Sequence, residues 1–326
     1  MLLLALALFA ADTTRPSGPV YSGRQGQLDV HAPRVEAEVV IDGVLEEPIW
    51  GQAAEMRDFS QYFPSDGVPA RDSTSVYVWY SPTAIYFGIR AYDAYGARAT
   101  LADRDKTGGD DHVQLLLGTF NDGRRALTFD VNPFGVQADG VLAETGGTTA
   151  NASNDREDPD LNPDFVWQSK GHLTSWGYEV EIRIPFKSIR FQSGAVQTWG
   201  INVVRTVQRL GYENSWVPAQ KANPSFLGQS GRLVDLTDLH RGLVLDLNPV
   251  ITETVTGAPS TTNPGTWHYD AGRPQLGGNV RWGISNNLTL NATIKPDFSQ
   301  VETDQAQVSF DPRNALFYPE KRPFFL

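Results

Sequence analysis

The side chains with the most chemical capability in this 326-residue chain are carboxylates, and their spacing decides what they can do. Asp110 and Asp111 are adjacent, so on a strand they point to opposite faces. Glu179 and Glu181 are two apart and project in parallel. Neither pair flanks a bond from two sides, as the acid and base of a glycoside hydrolase must. The acidic run Asn154-Asp155-Arg156-Glu157-Asp158-Pro159-Asp160 clusters the oxygen ligands that hard cations take. Asp155, Glu157, Asp158 and Asp160 are therefore calcium candidates, although the run lacks the regular Asp-x-Asn-x-Asp-Gly arrangement and reads better as a solvated, mobile loop. The five histidines, His31, His112, His172, His240 and His268, have no metal-ligand spacing. The sequence holds no His-Glu-x-x-His helix, no phosphate-cradling loop ending in Lys-Ser or Lys-Thr, and no Gly-x-Ser-x-Gly elbow. The residues lean away from catalysis and from any cofactor other than calcium.

Composition narrows the partners. A formal charge of −11 without a basic stripe excludes nucleic acid, whose binding is driven by clustered Lys and Arg. With no cysteine there are neither disulfides nor thiolate metal sites. Leu2 to Ala11 is an unbroken apolar run, too short for a membrane helix of about 20 residues, and it reads as the core of an export signal without its leading positive charges. Residues 12–34, polar and punctuated by Pro and Gly, read as a linker. Phe317-Tyr318-Pro319-Glu320-Lys321-Arg322-Pro323-Phe324-Phe325-Leu326 sets aromatic weight at the C-terminus, where nothing follows to bury it. The expectation is the front portion of a longer protein.

The elements that must position these groups are strands. Thirty glycines, twenty-one prolines and many Val-Thr-Tyr alternations favour an all-β chain with frequent turns. Ser75–Tyr80 and Ala84–Tyr92 flank Ser81-Pro82-Thr83 as a hairpin, and His112–Leu117 and Ala126–Asn132 pair around Asn121-Asp122-Gly123. With Gly177–Ile184 and Trp199–Arg205, this spacing predicts a β-sandwich over 35–240. Period-two alternation puts Tyr178, Val180, Ile182 and Ile184 on one face and Glu179, Glu181 and Arg183 on the other. It likewise turns Leu127, Phe129 and Val131 inward and Thr128, Asp130 and Asn132 outward. Such outward sets are ordinarily solvated, and can also floor a polar groove.

Several segments of this first region together resemble the carbohydrate-binding family 9 domain. They are Ile41-Asp42-Gly43-Val44-Leu45-Glu46-Glu47-Pro48-Ile49-Trp50, Asp111-His112-Val113-Gln114, Phe129-Asp130-Val131-Asn132-Pro133-Phe134-Gly135, the strand from Trp176 to Phe186, and Gly231-Arg232-Leu233-Val234-Asp235. The resemblance implies an antiparallel sandwich that holds saccharide ends between two tryptophans, with polar groups on the hydroxyls and calcium steadying loops. This chain departs from that pattern. Thr107-Gly108-Gly109-Asp110 and Asn223-Pro224-Ser225-Phe226 stand where the tryptophans belong. Asn132 is kept, Gln114 replaces a carboxylate, and Asp130 replaces an arginine, which reverses the local charge. Asn132, Gln114 and Asp130 remain the candidate hydroxyl partners. Phe226, Trp216 and Phe134 are the candidate stacking platforms.

From residue 241 the texture changes to longer alternating segments, Leu243–Val255, Pro274–Ile284 and Asn287–Ile294. Outer-membrane barrels use strands of about 9–11 such residues. Asn287 to Glu302 and Phe317 to Leu326 resemble the opening of a large domain of unknown function that follows family-9-like modules in bacterial outer-membrane proteins. Its implied form is a β-barrel, of which 241–326 would be an incomplete set of long antiparallel strands. The resulting expectation is a noncatalytic polysaccharide- or oligosaccharide-binding module in the cell envelope, attached to an outer-membrane barrel and serving carbohydrate catabolism or uptake. Two alternatives remain: a sandwich that plugs the barrel without binding sugar, and a membrane-associated glycoside hydrolase suggested by family association alone.

Overall fold

The computed structural model describes residues 18–144, 156–242, 244–253, 255–263, 265–284 and 288–295. The apolar run at 2–11, calcium candidate Asp155 and the segment 296–326 lie outside them. Among the described residues the chain is all-β, with short 3-10 turns and no α-helix.

The first fourteen strands are β1 (Val20–Ser22), β2 (Asp29–Val30), β3 (Ala54–Arg57), β4 (Ser60–Phe63), β5 (Thr74–Tyr80), β6 (Ala84–Tyr92), β7 (His112–Gly118), β8 (Arg125–Val131), β9 (Gln137–Ala143), β10 (Gln168–Thr174), β11 (Gly177–Pro185), β12 (Val196–Val207), β13 (Tyr212–Ser215) and β14 (Gly231–Thr237). They form two sheets. One is six-stranded in the order β1-β3-β5-β6-β11-β10. The other is eight-stranded in the order β2-β14-β12-β7-β8-β9, with β13 pairing both β12 and β4.

The predicted hairpins are present. Trp79 opposes Tyr86 across β5–β6, and Leu115 opposes Phe129 across β7–β8, whose turn places Asn121 and Gly123 at φ values of 50° and 65°. Left-handed backbone of this kind is tolerated best by Asn and Gly. The inward sets also match expectation. Val180, Ile182 and Ile184 from one sheet meet Leu115, Phe129, Val131, Trp199 and Ile201 from the other in a single core, the packing that period-two alternation requires of stacked sheets.

Three expectations are corrected. Residues 18–34 are not all linker: β1 pairs with β3 and β2 with β14, both in parallel, so this stretch seals one edge of each sheet and the sandwich is not purely antiparallel. Strands this short leave no periodicity to read. Second, the outward Glu179 and Glu181 are buried beneath the segment 41–50, because Leu45, Ile49 and Trp50 pack there on Trp79, Ala84 and Tyr86. Gly88 leaves room for that lid: a Cβ there would lie 2.7 Å from Leu45 Cδ2 and 2.9 Å from the Trp50 ring. Third, the long strand expected over 243–255 is interrupted.

That last region comprises β15 (Val244–Thr252), β16 (Val255–Pro259), β17 (Trp267–Ala271), β18 (Gln275–Gly283) and β19 (Thr289–Ile294). β15, β18 and β19 form one three-stranded sheet, and β16 pairs with β17. Register sorts the side chains. Leu245 opposes Trp282, Leu247 opposes Val280 and Ile251 opposes Leu276, while Leu290, Ala292 and Ile294 extend the same face across β19. The alternate face carries Asp246, Asn248, Asn279, Arg281, Asn291 and Thr293. The apolar face is uncovered, with Leu247 61% and Ile251 71% exposed. The sheets do not close on themselves among the described residues.

Candidate functional site

The outer face of the eight-stranded sheet gathers polar and aromatic side chains in one place. Gln114 on β7 and Asp130 on β8 are directly opposed in register, and Gln114 Nε2 donates to Asp130 Oδ2 at 3.1 Å. Thr128, two residues before Asp130, shares its face. Phe226 and Tyr62 stand beside this floor with centroids 4.9 Å apart. Phe226 is fixed from below by Glu144, whose carboxylate accepts from Ser225 Oγ (2.6 Å) and from the backbone N–H of Phe226 (2.7 Å) and of Leu227 (2.8 Å).

Arg156 lies across the floor. Its Nη1 donates to Gln114 Oε1 at 2.6 Å, its Nε stands 3.3 Å from Glu213 Oε2, and its guanidinium covers the Phe226 ring at 5.4 Å. The strap carrying it is tied down where Asp160 and Val141 exchange backbone hydrogen bonds, a close approach that Gly140 permits. Gln114, Thr128, Asp130, Tyr62, Phe226, Arg156 and Glu213 are all buried.

The electrostatics are those of a half-satisfied polar pocket. Burial pushes the Asp130 carboxyl up to about 6, against the opposing pull of His112, the Gln114 hydrogen bond and Arg156. Asp130 Oδ1 and Thr128 Oγ1 are buried without a hydrogen-bond partner. Buried polar atoms are rarely left this way unless something else meets them. The chemistry on offer is recognition: acceptors and amide donors for hydroxyls or a cation, beside two aromatic rings.

Of the sequence-predicted site residues, Gln114, Asp130 and Phe226 come together here and the other three do not. Asn132 spends its whole hydrogen-bonding capacity on loop structure. Its Nδ2 donates to Thr100 O and Asp110 Oδ2, both at 2.8 Å, and its Oδ1 accepts from the N–H of Phe134 and of Val136. Trp216 is a core residue with no exposed surface. Phe134 is exposed on the β8–β9 turn, and its neighbour Gly135 packs on Lys170 and Gly171 of β10. Asp110 and Asp111 are likewise loop clamps, Asp110 holding Thr100 and Asp111 accepting from the N–H of Arg98 and of Gln208.

Sequence reading missed Tyr62, Thr128, Glu144, Glu213 and Arg156 as site members. Two left a signal: alternation already turned Thr128 outward beside Asp130, and Arg156 is the single cation in the run 154–160. That run yields no ligand cage among the described residues. Asp160 Oδ1 accepts from Asn162 N–H and Nδ2, and Glu157 and Asp158 join no grouping able to hold a metal. The one such grouping among the described residues is Asp42, Glu47 and Glu181, under the opposite lid. There Glu181 already accepts from the N–H of Asp42 (2.8 Å), the N–H of Gly43 (2.9 Å) and the Trp50 indole (3.1 Å). A surface cleft of about 670 Å³ is bordered by Tyr21, Gln27, His31 and the exposed Asp29–Arg232 ion pair, and it contains none of the predicted residues.

Residues 245–326 match the model of a family described as a domain of unknown function, DUF5916. No curated protein sequence matches the chain. Among solved structures it is similar to a carbohydrate binding module family 9 from Caldicellulosiruptor kristjanssonii. The complex with cellotriose has 14% identity and a TM-score of 0.41, and covers 62% of this chain and 92% of that one. The complex with glucose has 14% identity and a TM-score of 0.40, and covers 62% and 94%. A Bacteroides uniformis protein, named only provisionally as carbohydrate-binding, has 13% identity and a TM-score of 0.47, with 67% of this chain and 99% of that one covered.

Proposed function

We propose that the sandwich is a noncatalytic saccharide-recognition module and that the strands from 244 onward face the lipid of an outer membrane, so that the chain captures glycans at the cell envelope. One observation carries the first half. Gln114, Thr128 and Asp130 form a polar floor with two unpartnered buried oxygens, walled by Phe226 and Tyr62. A pyranose presents an apolar ring face and a rim of hydroxyls, and needs a site of this mixed kind. The resemblance of 35–240 to the family 9 domain supports the choice of ligand class. Cellotriose and glucose, bound by the similar modules, are the first probes.

Isothermal titration of the full chain against cello-, xylo- and mannooligosaccharides tests this reading. Binding by one series, weakened about tenfold or more in Gln114→Ala by loss of a bonded partner, is the expected result. Silence across all three overturns it.

The second half is supported by the two-faced sheet. A row of apolar residues opposite a polar row, on strands of nine residues in β15 and β18, suits lipid on one side and water on the other. Export to the outer membrane, and a role in polysaccharide catabolism or uptake, belong to the same proposal. Flotation of the full chain with liposomes is expected, and Leu247→Asp should reduce it several-fold by placing a charge on the lipid face. Equal recovery in the top fraction would remove the membrane reading and leave the sugar reading standing.

A further inference from the structure

We propose that Arg156 is an in-cis occupant of the saccharide face: the pocket is a guanidinium-binding site that the chain fills with its own side chain, and a sugar enters when that side chain withdraws. This rests on the saccharide reading of the same face.

Three features define a cation site rather than an incidental salt bridge. The guanidinium meets a carboxylate along its edge at Glu213, with Nε 3.3 Å from Oε2 and Nη2 3.4 Å from Oε1. It meets an amide oxygen at Gln114, 2.6 Å away. Its flat surface covers the Phe226 ring. A planar cation is thus held at its edge by two acceptor groups and on its face by an aromatic ring, the contacts that guanidinium chemistry favours. The same three contacts are those a sugar would need. While Arg156 is seated, the Phe226 ring is only 5% exposed and cannot stack on a pyranose.

Arg156 also leaves part of the site unused. Asp130 Oδ1 and Thr128 Oγ1 face outward from the same strand as unsatisfied buried atoms. A side chain evolved purely as structural filling would be expected to meet them. Arg156 instead meets the Gln114 end of the floor and the Glu213 wall. The arrangement is that of a removable competitor: strong contacts at one end, and the remainder of the recognition surface intact.

The test uses the full chain, cellotriose and methylguanidinium. An internal competitor that keeps the site open one-tenth of the time or less weakens apparent affinity by about tenfold or more. Arg156→Ala is therefore expected to bind cellotriose about tenfold tighter than the wild type. Methylguanidinium should compete with the sugar in the variant and raise its melting temperature, with no such effect on the wild type. Stabilisation of Arg156→Ala by methylguanidinium with no sugar bound by either protein would uphold the cation site and sink the saccharide reading. Equal cellotriose affinity in both proteins with no response to methylguanidinium would sink the occupant and uphold the saccharide reading. Weaker cellotriose binding by Arg156→Ala would make Arg156 a sugar ligand and also overturn the proposal. Should Arg156→Ala not fold, Glu213→Gln keeps the arginine and weakens its seat. A rise in cellotriose affinity of about threefold is expected, the size of a lost ion pair, and an unchanged affinity counts against the occupant.

Discussion

The two outer faces of the sandwich bury carboxylates under a covering segment, and they differ in how completely those carboxylates are answered. Glu181 lies beneath the segment 41–50 with three N–H donors converging on it, and neighbouring Glu179 accepts from Arg90 Nε at 2.7 Å. Asp130, beneath Arg156, receives one amide donor on one oxygen and nothing on the other. Both acids are raised by burial, Glu181 to about 7 and Asp130 to about 6. Perturbed acidity alone therefore does not separate the two faces. Saturation does: the Glu181 carboxylate is spent on the segment that covers it, while one oxygen of Asp130 is left with capacity for a further donor.

The sharpest way to break this contrast is to truncate each acid and measure urea unfolding. Glu181→Ala strips the acceptor from the backbone N–H groups of Asp42 and Gly43 and leaves the Trp50 indole only Glu47, and is expected to cost about 3 kcal/mol. Asp130→Ala leaves only the Gln114 amide short of a partner, and about 1 kcal/mol is expected. Equal losses at the two positions would mean that both carboxylates are structural. A smaller effect should separate positioning from contact. Glu144→Ala releases the turn that holds Phe226, and is expected to cost about 1–2 kcal/mol through its lost backbone partners. Cellotriose affinity should fall about tenfold as the ring loses its fixed orientation. Unchanged affinity in a folded Glu144→Ala protein would remove Phe226 from the site.

Much of this difference was legible only in part from sequence, for identifiable physical reasons. Alternation fixed which side chains of β8 and β11 turn outward, because the two-residue period of a strand leaves no choice once one face is apolar. It could not say what covers them. The lid over Glu181 comes from a segment some 130 residues earlier, and Arg156 reaches Gln114 across a separation of 42 residues. Contacts of that range are set by the meeting of sheets and straps in three dimensions and leave no local periodicity. Asn132 misled for a related reason. A kept residue type on an outward position resembles a ligand, yet its amide is consumed by the β8–β9 turn and by Asp110. Trp216 misled by chemistry alone, since an aromatic at the end of a short strand packs as readily into a core as onto a surface.

The least dramatic test of the contrast is its pH dependence, and the sign is fixed by the direction of the shifts. Each carboxyl is held above its ordinary value, Glu181 rising from 4.5 to about 7 and Asp130 from 3.8 to about 6. Between those limits the folded chain retains a proton that the unfolded chain has lost, so stability is fully present below the ordinary values and falls as pH rises through the window. Asp139, Arg156 and His112 act on Asp130, and Glu47 acts on Glu181, so the variants matter more than the absolute slope. Glu181→Gln, which cannot ionise, is expected to flatten the fall between pH 4.5 and about 7 relative to wild type, and Asp130→Asn the fall between pH 3.8 and about 6. Urea midpoints recorded across that range read both. The saturated face supplies a check on itself, because the donors around Glu181 favour its charged form and oppose burial. If those donors win, Glu181 titrates near its ordinary value, its Gln variant runs parallel to wild type, and Asp130 alone carries the slope. In that case the half-paired carboxylate would be distinguished by its titration as well as by its open oxygen.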